Sequence, residues 1–134
     1  MRGFIMLADA ARAHPDGTFS LLRGAIDRTY TPSNQPIHFR GSVVAHVKGS
    51  MNEAGPHDFR LRVLNEEGQP VAPDNEGNFV VPKGGGGANI IGDIQLILPA
   101  YGRYTFSLSV DKHELDTWEL RAERAQAGGA TGGQ

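Results

Sequence analysis

Between residues 37 and 48 apolar and polar side chains alternate. Ile37, Phe39, Val43, Ala45 and Val47 fall on one side, and His38, Arg40, Ser42, His46 and Lys48 on the other, with Val44 the exception. A period of two sends successive side chains to opposite faces of an extended backbone, so the segment predicts a half-buried strand. The pattern recurs three times. Phe59, Leu61 and Val63 alternate with Arg60 and Arg62; Tyr104, Phe106, Leu108 and Val110 alternate with Thr105, Ser107 and Ser109; Trp118, Leu120 and Ala122 alternate with Glu119, Arg121 and Glu123. Residues 3–11, 18–30, 78–81 and 88–98 are further apolar runs, and the last reads as buried on both faces near its end. Gly24, inside the second of these, predicts a bulge or a close backbone approach.

Turn signals separate the runs. His14-Pro15-Asp16-Gly17, Asn65-Glu66-Glu67-Gly68, Pro99-Ala100-Tyr101-Gly102 and Asp111-Lys112-His113-Glu114 carry residues that preset φ or tolerate a left-handed backbone, and Pro32 and Pro36 exclude a helix interior or a central ladder between them. Lys83 and the four glycines after it read as a flexible tether. About eight strands with no helix-period segment predict an all-β chain. The expected architecture is a single antiparallel β-sandwich over residues 1–124, with a barrel as the alternative and a Gly/Ala-rich flexible tail over 125–134.

Two resemblances sharpen this reading. The segment Leu98-Pro99-Ala100-Tyr101-Gly102-Arg103-Tyr104-Thr105-Phe106 resembles the tyrosine corner of immunoglobulin-like domains, in which a Tyr ring packs in the core while its hydroxyl satisfies an upstream backbone group. Phe106 stands where antibody domains place a Cys, and Trp118 follows this segment where theirs precedes it. The sandwich is therefore expected to be immunoglobulin-like. The opening Phe4-Ile5-Met6-Leu7-Ala8-Asp9-Ala10-Ala11, the stretch from Gly17-Thr18-Phe19 to Ile26-Asp27-Arg28, and the segment from Leu98 to Phe106 with Val110-Asp111 and Glu114-Leu115 together resemble a family of short, uncharacterised bacterial proteins. That resemblance implies a compact all-β domain and brings no catalytic or binding residues with it.

Composition narrows the function classes. The chain of 134 residues has no Cys, which excludes disulfides, thiolate metal sites and thiol catalysis. A net charge of −2 without a basic run argues against nucleic acid as partner. No apolar stretch approaches the roughly 20 residues of a membrane-spanning helix. The run at residues 4–8 is cut by Asp9 before it reaches the 7 to 15 residues or so of a leader's apolar core, so a cytoplasmic location and no membrane partner are expected.

Candidate chemistry is sparse. His38 and His46 share a strand face but lie roughly 26 Å apart at strand rise; His14, His57 and His113 fall in predicted turns or loops, and no metal-ligand spacing appears. The Gly run lacks the G-K-[ST] ending of a phosphate cradle, no G-x-S-x-G elbow is present, and the glycine pairs in the tail resemble those of ubiquitin-like modifiers only in composition. No catalytic, cofactor-binding or metal residue is assigned, and the reading leans away from an enzyme. Asp16, Asp74, Asp111 and Asp116 in end loops keep calcium or carbohydrate binding as the alternative. The preferred expectation is a non-catalytic protein-binding or assembly module, engaging a protein partner or a second copy. Its interaction face is predicted from His38, Arg40, Val44, His46 and Lys48 on one strand and Arg60 and Arg62 on another, provided these strands pair. Outward aliphatic residues, notably Leu22, Val44 and Ile97, predict that part of a sheet is covered by that partner.

Overall fold

The alternating segments pair edge to edge into two sheets in a computed structural model that describes residues 1–31 and 37–125. The strands are β1 (Arg2–Ala13), β2 (Phe19–Gly24), β3 (Arg28–Thr31), β4 (Ile37–Gly49), β5 (Gly55–Leu64), β6 (Asn75–Val81), β7 (Gly86–Leu98), β8 (Gly102–Val110) and β9 (His113–Arg124), with one 3-10 turn at Met51–Glu53. Four strands form one sheet in the order β2-β1-β4-β7, and five form the other in the order β3-β9-β8-β5-β6. Apart from Ala125, the predicted tail lies outside the described residues, as do Pro32 and Pro36.

The two sheets face each other across one apolar layer. Ile5, Leu7, Phe39, Val43 and Val47 from the first meet Phe79, Tyr104, Phe106, Leu108 and Leu120 from the second. Burial of each large aliphatic or aromatic side chain contributes about 1.5–3 kcal/mol, so this layer dominates the stability of the fold. The sandwich is immunoglobulin-like in its corner. Tyr104 is buried, its hydroxyl donates to the Ala100 carbonyl at 2.6 Å, and the Ala100 N–H donates back at 3.1 Å.

The described strands number nine because the run at 18–30 divides. Arg23 and Ala25 adopt left-handed φ of 51° and 61°, which breaks the ladder, and residues 25–27 cross from the first sheet to the second. The crossing is stitched on both sides. Ile26 N–H donates to the Leu7 carbonyl, the Trp118 indole donates to the Ile26 carbonyl at 2.7 Å, and Arg121 N–H donates to the Asp27 carbonyl. β3 then pairs with β9 in parallel, the one departure from antiparallel ladders among the described strands. Gly24 meets the close approach its sequence predicts, since a Cβ there would lie 2.9 Å from Leu21 Cδ1.

Two local expectations are corrected. The glycine run is a tight turn rather than a tether: Gly84 and Gly85 take φ of 94° and 90°, Gly85 N–H donates to the Pro82 carbonyl, and β7 begins at Gly86. The end of β7 is buried on one face only. Leu96 and Leu98 point into the core, while Ile97 is 61% exposed on the outer face.

The β1–β2 hairpin does more than extend the first sheet. Ala8 is the last residue of β1 paired with β4, and beyond it the hairpin continues to a tip whose Gly17 carbonyl accepts a hydrogen bond from Asn89 Nδ2 on β7 at 2.9 Å. β4 lies between β1 and β7 in the sheet, so a contact from the tip to β7 requires the hairpin to lie across the outer face of β4. Ser42 and Val44, both in outward register, are accordingly 0% exposed. The free edge of the first half of β1 is closed as well, because Ile5 N–H donates to Asp116 Oδ2 on β9 at 3.0 Å. That capped edge gives a pairing strand no ladder to join.

Candidate functional site

With the middle of one outer face roofed by the β1–β2 hairpin, the other carries an open concavity. Strands β5, β6 and β8 of the five-stranded sheet place Asp58, Arg60, Arg62 and Leu64 beside Glu76 and Asn78 on one flank and Ser107 and Ser109 on the other. Together with Asp111, Lys112 and Glu114 these line a groove of about 920 Å³. Its geometry follows from register. Arg60 stands opposite both Glu76 and Ser109, and Arg62 opposite Ser107, so cations run down the middle strand with carboxylates and hydroxyls beside them. Gly77 is required at the rim, since a Cβ there would meet the Phe59 ring at 2.7 Å.

The electrostatics are those of a partly engaged lattice. Asp74 lies 3.6 Å from Arg60 Nε and 3.5 Å from Arg62 Nε, Glu76 lies 3.3 Å from Arg60, and Ser107 Oγ donates to Glu114 at 2.8 Å. Arg62 Nε is shut off from solvent and makes no hydrogen bond among the described residues. A buried donor left without an acceptor costs about 1–3 kcal/mol, so the groove floor keeps an unmet demand for an oxygen.

On the inward side of β5, behind the groove residues Asp58 and Asp111, His57 packs on the Phe79 ring with centroids 5.6 Å apart. Its Nδ1 lies 2.5 Å from Asp111 Oδ2 and its Nε2 lies 2.6 Å from the Glu53 carbonyl. The Asp111 carboxylate, followed by that carbonyl, holds the imidazole pKa above its ordinary value, and the imidazole in turn lowers that of Asp111.

The face expected from the sequence does not assemble. β4 pairs with β1 and β7 in one sheet and β5 with β6 and β8 in the other, so His38, Arg40, Val44, His46 and Lys48 look away from Arg60 and Arg62. Their condition, that the two strands pair, fails because each finds its partners within a different layer. Within the β4 group, His38, Arg40 and Lys48 are exposed, His46 stacks on Phe4 and bonds Asn89, and Val44 lies beneath the hairpin. The cover over Val44 is therefore the chain itself. Arg60 and Arg62 do sit in the groove, and the hydroxyls of Ser107 and Ser109 that complete it were legible only as the polar half of an alternating strand.

The four carboxylates expected in end loops are engaged separately, and Asp116 lies within β9 rather than in a loop. Asp16 caps Thr18, Asp74 pairs with the two groove arginines, Asp111 holds His57, and Asp116 accepts from Ile5. Among the described residues no three potential metal ligands gather, and no helix is long and apolar enough to cross a membrane.

Comparison with known proteins adds the following. The CARDB domain of a Pyrococcus furiosus protein, solved in complex with di-metal ions, is similar at a TM-score of 0.49 and 11% identity over 92% of this chain and 92% of that one. A glycosyl hydrolase family 2 member from Bacteroides cellulosilyticus is similar at 0.42 and 12% identity, covering 60% of this chain, and a putative beta-galactosidase from Bacteroides fragilis at 0.38 and 15%, covering 67%. The chain spans only 12% and 16% of the length of those two. No curated protein matches. A family described as "Family of unknown function (DUF6941)" matches residues 3–123, which takes in every segment that carried the family resemblance.

Proposed function

The chain belongs to DUF6941, whose match spans the whole sandwich, and on that premise we propose that the domain is a non-catalytic protein-binding module that works through the outer face of its five-stranded sheet. The observation that carries this reading is Arg62: its side chain is 37% exposed in a polar groove, and its buried Nε meets the Asp74 carboxylate at 3.5 Å without a hydrogen bond. A groove of about 920 Å³ lined by both signs of charge suits an extended polypeptide segment, whose carbonyls and carboxylates can engage the exposed part of the Arg62 guanidinium. The partner is another protein or a second copy of this chain, and a cysteine-free composition suits work in the cytoplasm.

Affinity capture from the native cell tests the reading. Arg62→Ala is expected to lower recovery of the bound partner at least tenfold, as loss of a buried charge-assisted contact of about 1.4 kcal/mol or more requires. Lys48→Ala, on the opposite sheet, is expected to leave it unchanged. Equal recovery by both variants, with unchanged melting curves, would remove the groove from consideration. Sedimentation of the isolated chain separates the two kinds of partner, since self-association raises its mass above 14.4 kDa.

A further inference from the structure

Both ring nitrogens of His57 face groups that only accept, a carboxylate oxygen of Asp111 and the backbone carbonyl of Glu53. A neutral imidazole carries one N–H and one lone pair, so in this position it presses the lone pair against an oxygen; the imidazolium alone satisfies both contacts. The partner it holds is a strained turn. Asp111 and Lys112 adopt left-handed φ of 49° and 71°, a conformation that residues with a Cβ keep only under outside support. Asp111 supplies that support through three contacts: its Oδ2 to His57, its Oδ1 to Asp58 N–H, and its own N–H to the Asp58 carbonyl. Asp58, Asp111 and Lys112 also line one end of the groove.

We propose that His57 and Asp111 form a proton-held latch, in which doubly protonated His57 pins the β8–β9 turn against β5 at the groove's end, and loss of one proton gives up the Glu53 carbonyl, reduces the Asp111 contact from an ion pair to a hydrogen bond and loosens that turn. The charged surroundings favour the proton. Asp111 and His113 face the ring or its partner from the turn, with Lys112 beside them; Asp58 stands on β5; and β6 offers the Phe79 ring. Glu53, from the 3-10 turn, is held down to about 2 by the terminal ammonium of Met1 and the Ser50 N–H, so it stays ionised. His57 has its pKa raised on folding, so its contribution is complete below about 6.5 and is lost as pH climbs through the raised value. Asp111 has its pKa lowered, so its contribution is complete above the ordinary carboxylate range and is lost as pH falls through the lowered value. The latch is shut between those two limits.

The use of the latch rests on the groove reading, but its titration needs no partner, so failure of either leaves the other standing. Nitrogen-detected NMR of the His57 ring in the full chain, with amide hydrogen exchange at Asp58 and Asp111, supplies the test. The expected result is a ring with both nitrogens protonated at pH 6.5, a midpoint above that of a free imidazole, and protection of the two amides, taken relative to their intrinsic exchange at each pH, that falls across the same midpoint. Asp111→Asn keeps a residue that tolerates the left-handed turn; it is expected to return the midpoint to the ordinary value or below and to make that protection independent of pH. A single-proton ring at pH 6.5, or a raised midpoint across which protection stays constant, would overturn the proposal.

Discussion

The two outer faces of this sandwich are built from the same alternating pattern and end in opposite states. On the four-stranded sheet the outward row of β4 includes Val44 and Ser42, both fully covered, because the β1–β2 hairpin crosses over them and anchors its tip on Asn89. On the five-stranded sheet the outward row of β5 carries Asp58, Arg60, Arg62 and Leu64, and it stays open. The contrast shows how a chain decides which face to offer. Val44 in outward register is covered by the chain itself while Ile97 on the same face stays exposed, whereas Arg60 and Arg62 are held by carboxylates of opposite sign and remain within reach of a partner.

The sharpest way to break this comparison is to change the charge on each side. Val44→Asp puts a carboxylate with no counter-ion beneath the hairpin and is expected to lower stability by more than about 3 kcal/mol. Arg60→Ala removes a half-exposed partner of Asp74 and Glu76 and is expected to cost less than about 1 kcal/mol. Urea unfolding measures both, and similar losses would mean that the hairpin gives no real cover. Next in size is the sealed edge. Asp116→Ala takes away the acceptor of Ile5 N–H, and the expected loss is about 1.5–3 kcal/mol, with faster exchange of the Ile5 amide as its signature. The smallest effect belongs to the hairpin tip, where Asn89→Ala removes the hydrogen bonds to the Gly17 carbonyl and to His46, together worth about 1–2 kcal/mol, and is expected to speed exchange throughout β2 while leaving β8 unchanged.

How much of this was readable beforehand varies by element. The alternation of residues 37–48, 59–63 and 104–110 translates directly into β4, β5 and β8, because a period of two has one structural meaning when half the side chains are greasy. Tyr104 announced its corner through spacing alone, and the hydroxyl finds the Ala100 backbone as that spacing requires. Sheet membership was not readable. Pairing is a choice among partners distant in sequence, and nothing local to Arg40 or Arg62 states which layer each will join. The same gap hid the site: Ser107, Ser109, Glu76 and Arg62 converge only through ladders between β5, β6 and β8. Val44 was legible as an anomaly, since an aliphatic residue in a polar row demands cover, but the identity of that cover lay in a hairpin some twenty residues upstream whose own faces are mixed. The split of residues 18–30 turned on left-handed backbone at Arg23 and Ala25, residue types that ordinarily avoid it.

The hairpin across β4 also sets an order of events during synthesis. Its tip leaves the ribosome before Asn89, whose amide donates to the Gly17 carbonyl and which lies 72 residues further along the chain. At about 5–20 residues per second, that interval is on the order of 4 to 14 s. Through that wait β4 is already available beneath the hairpin while the tip lacks its anchor on β7, so the roof is laid early and fastened late.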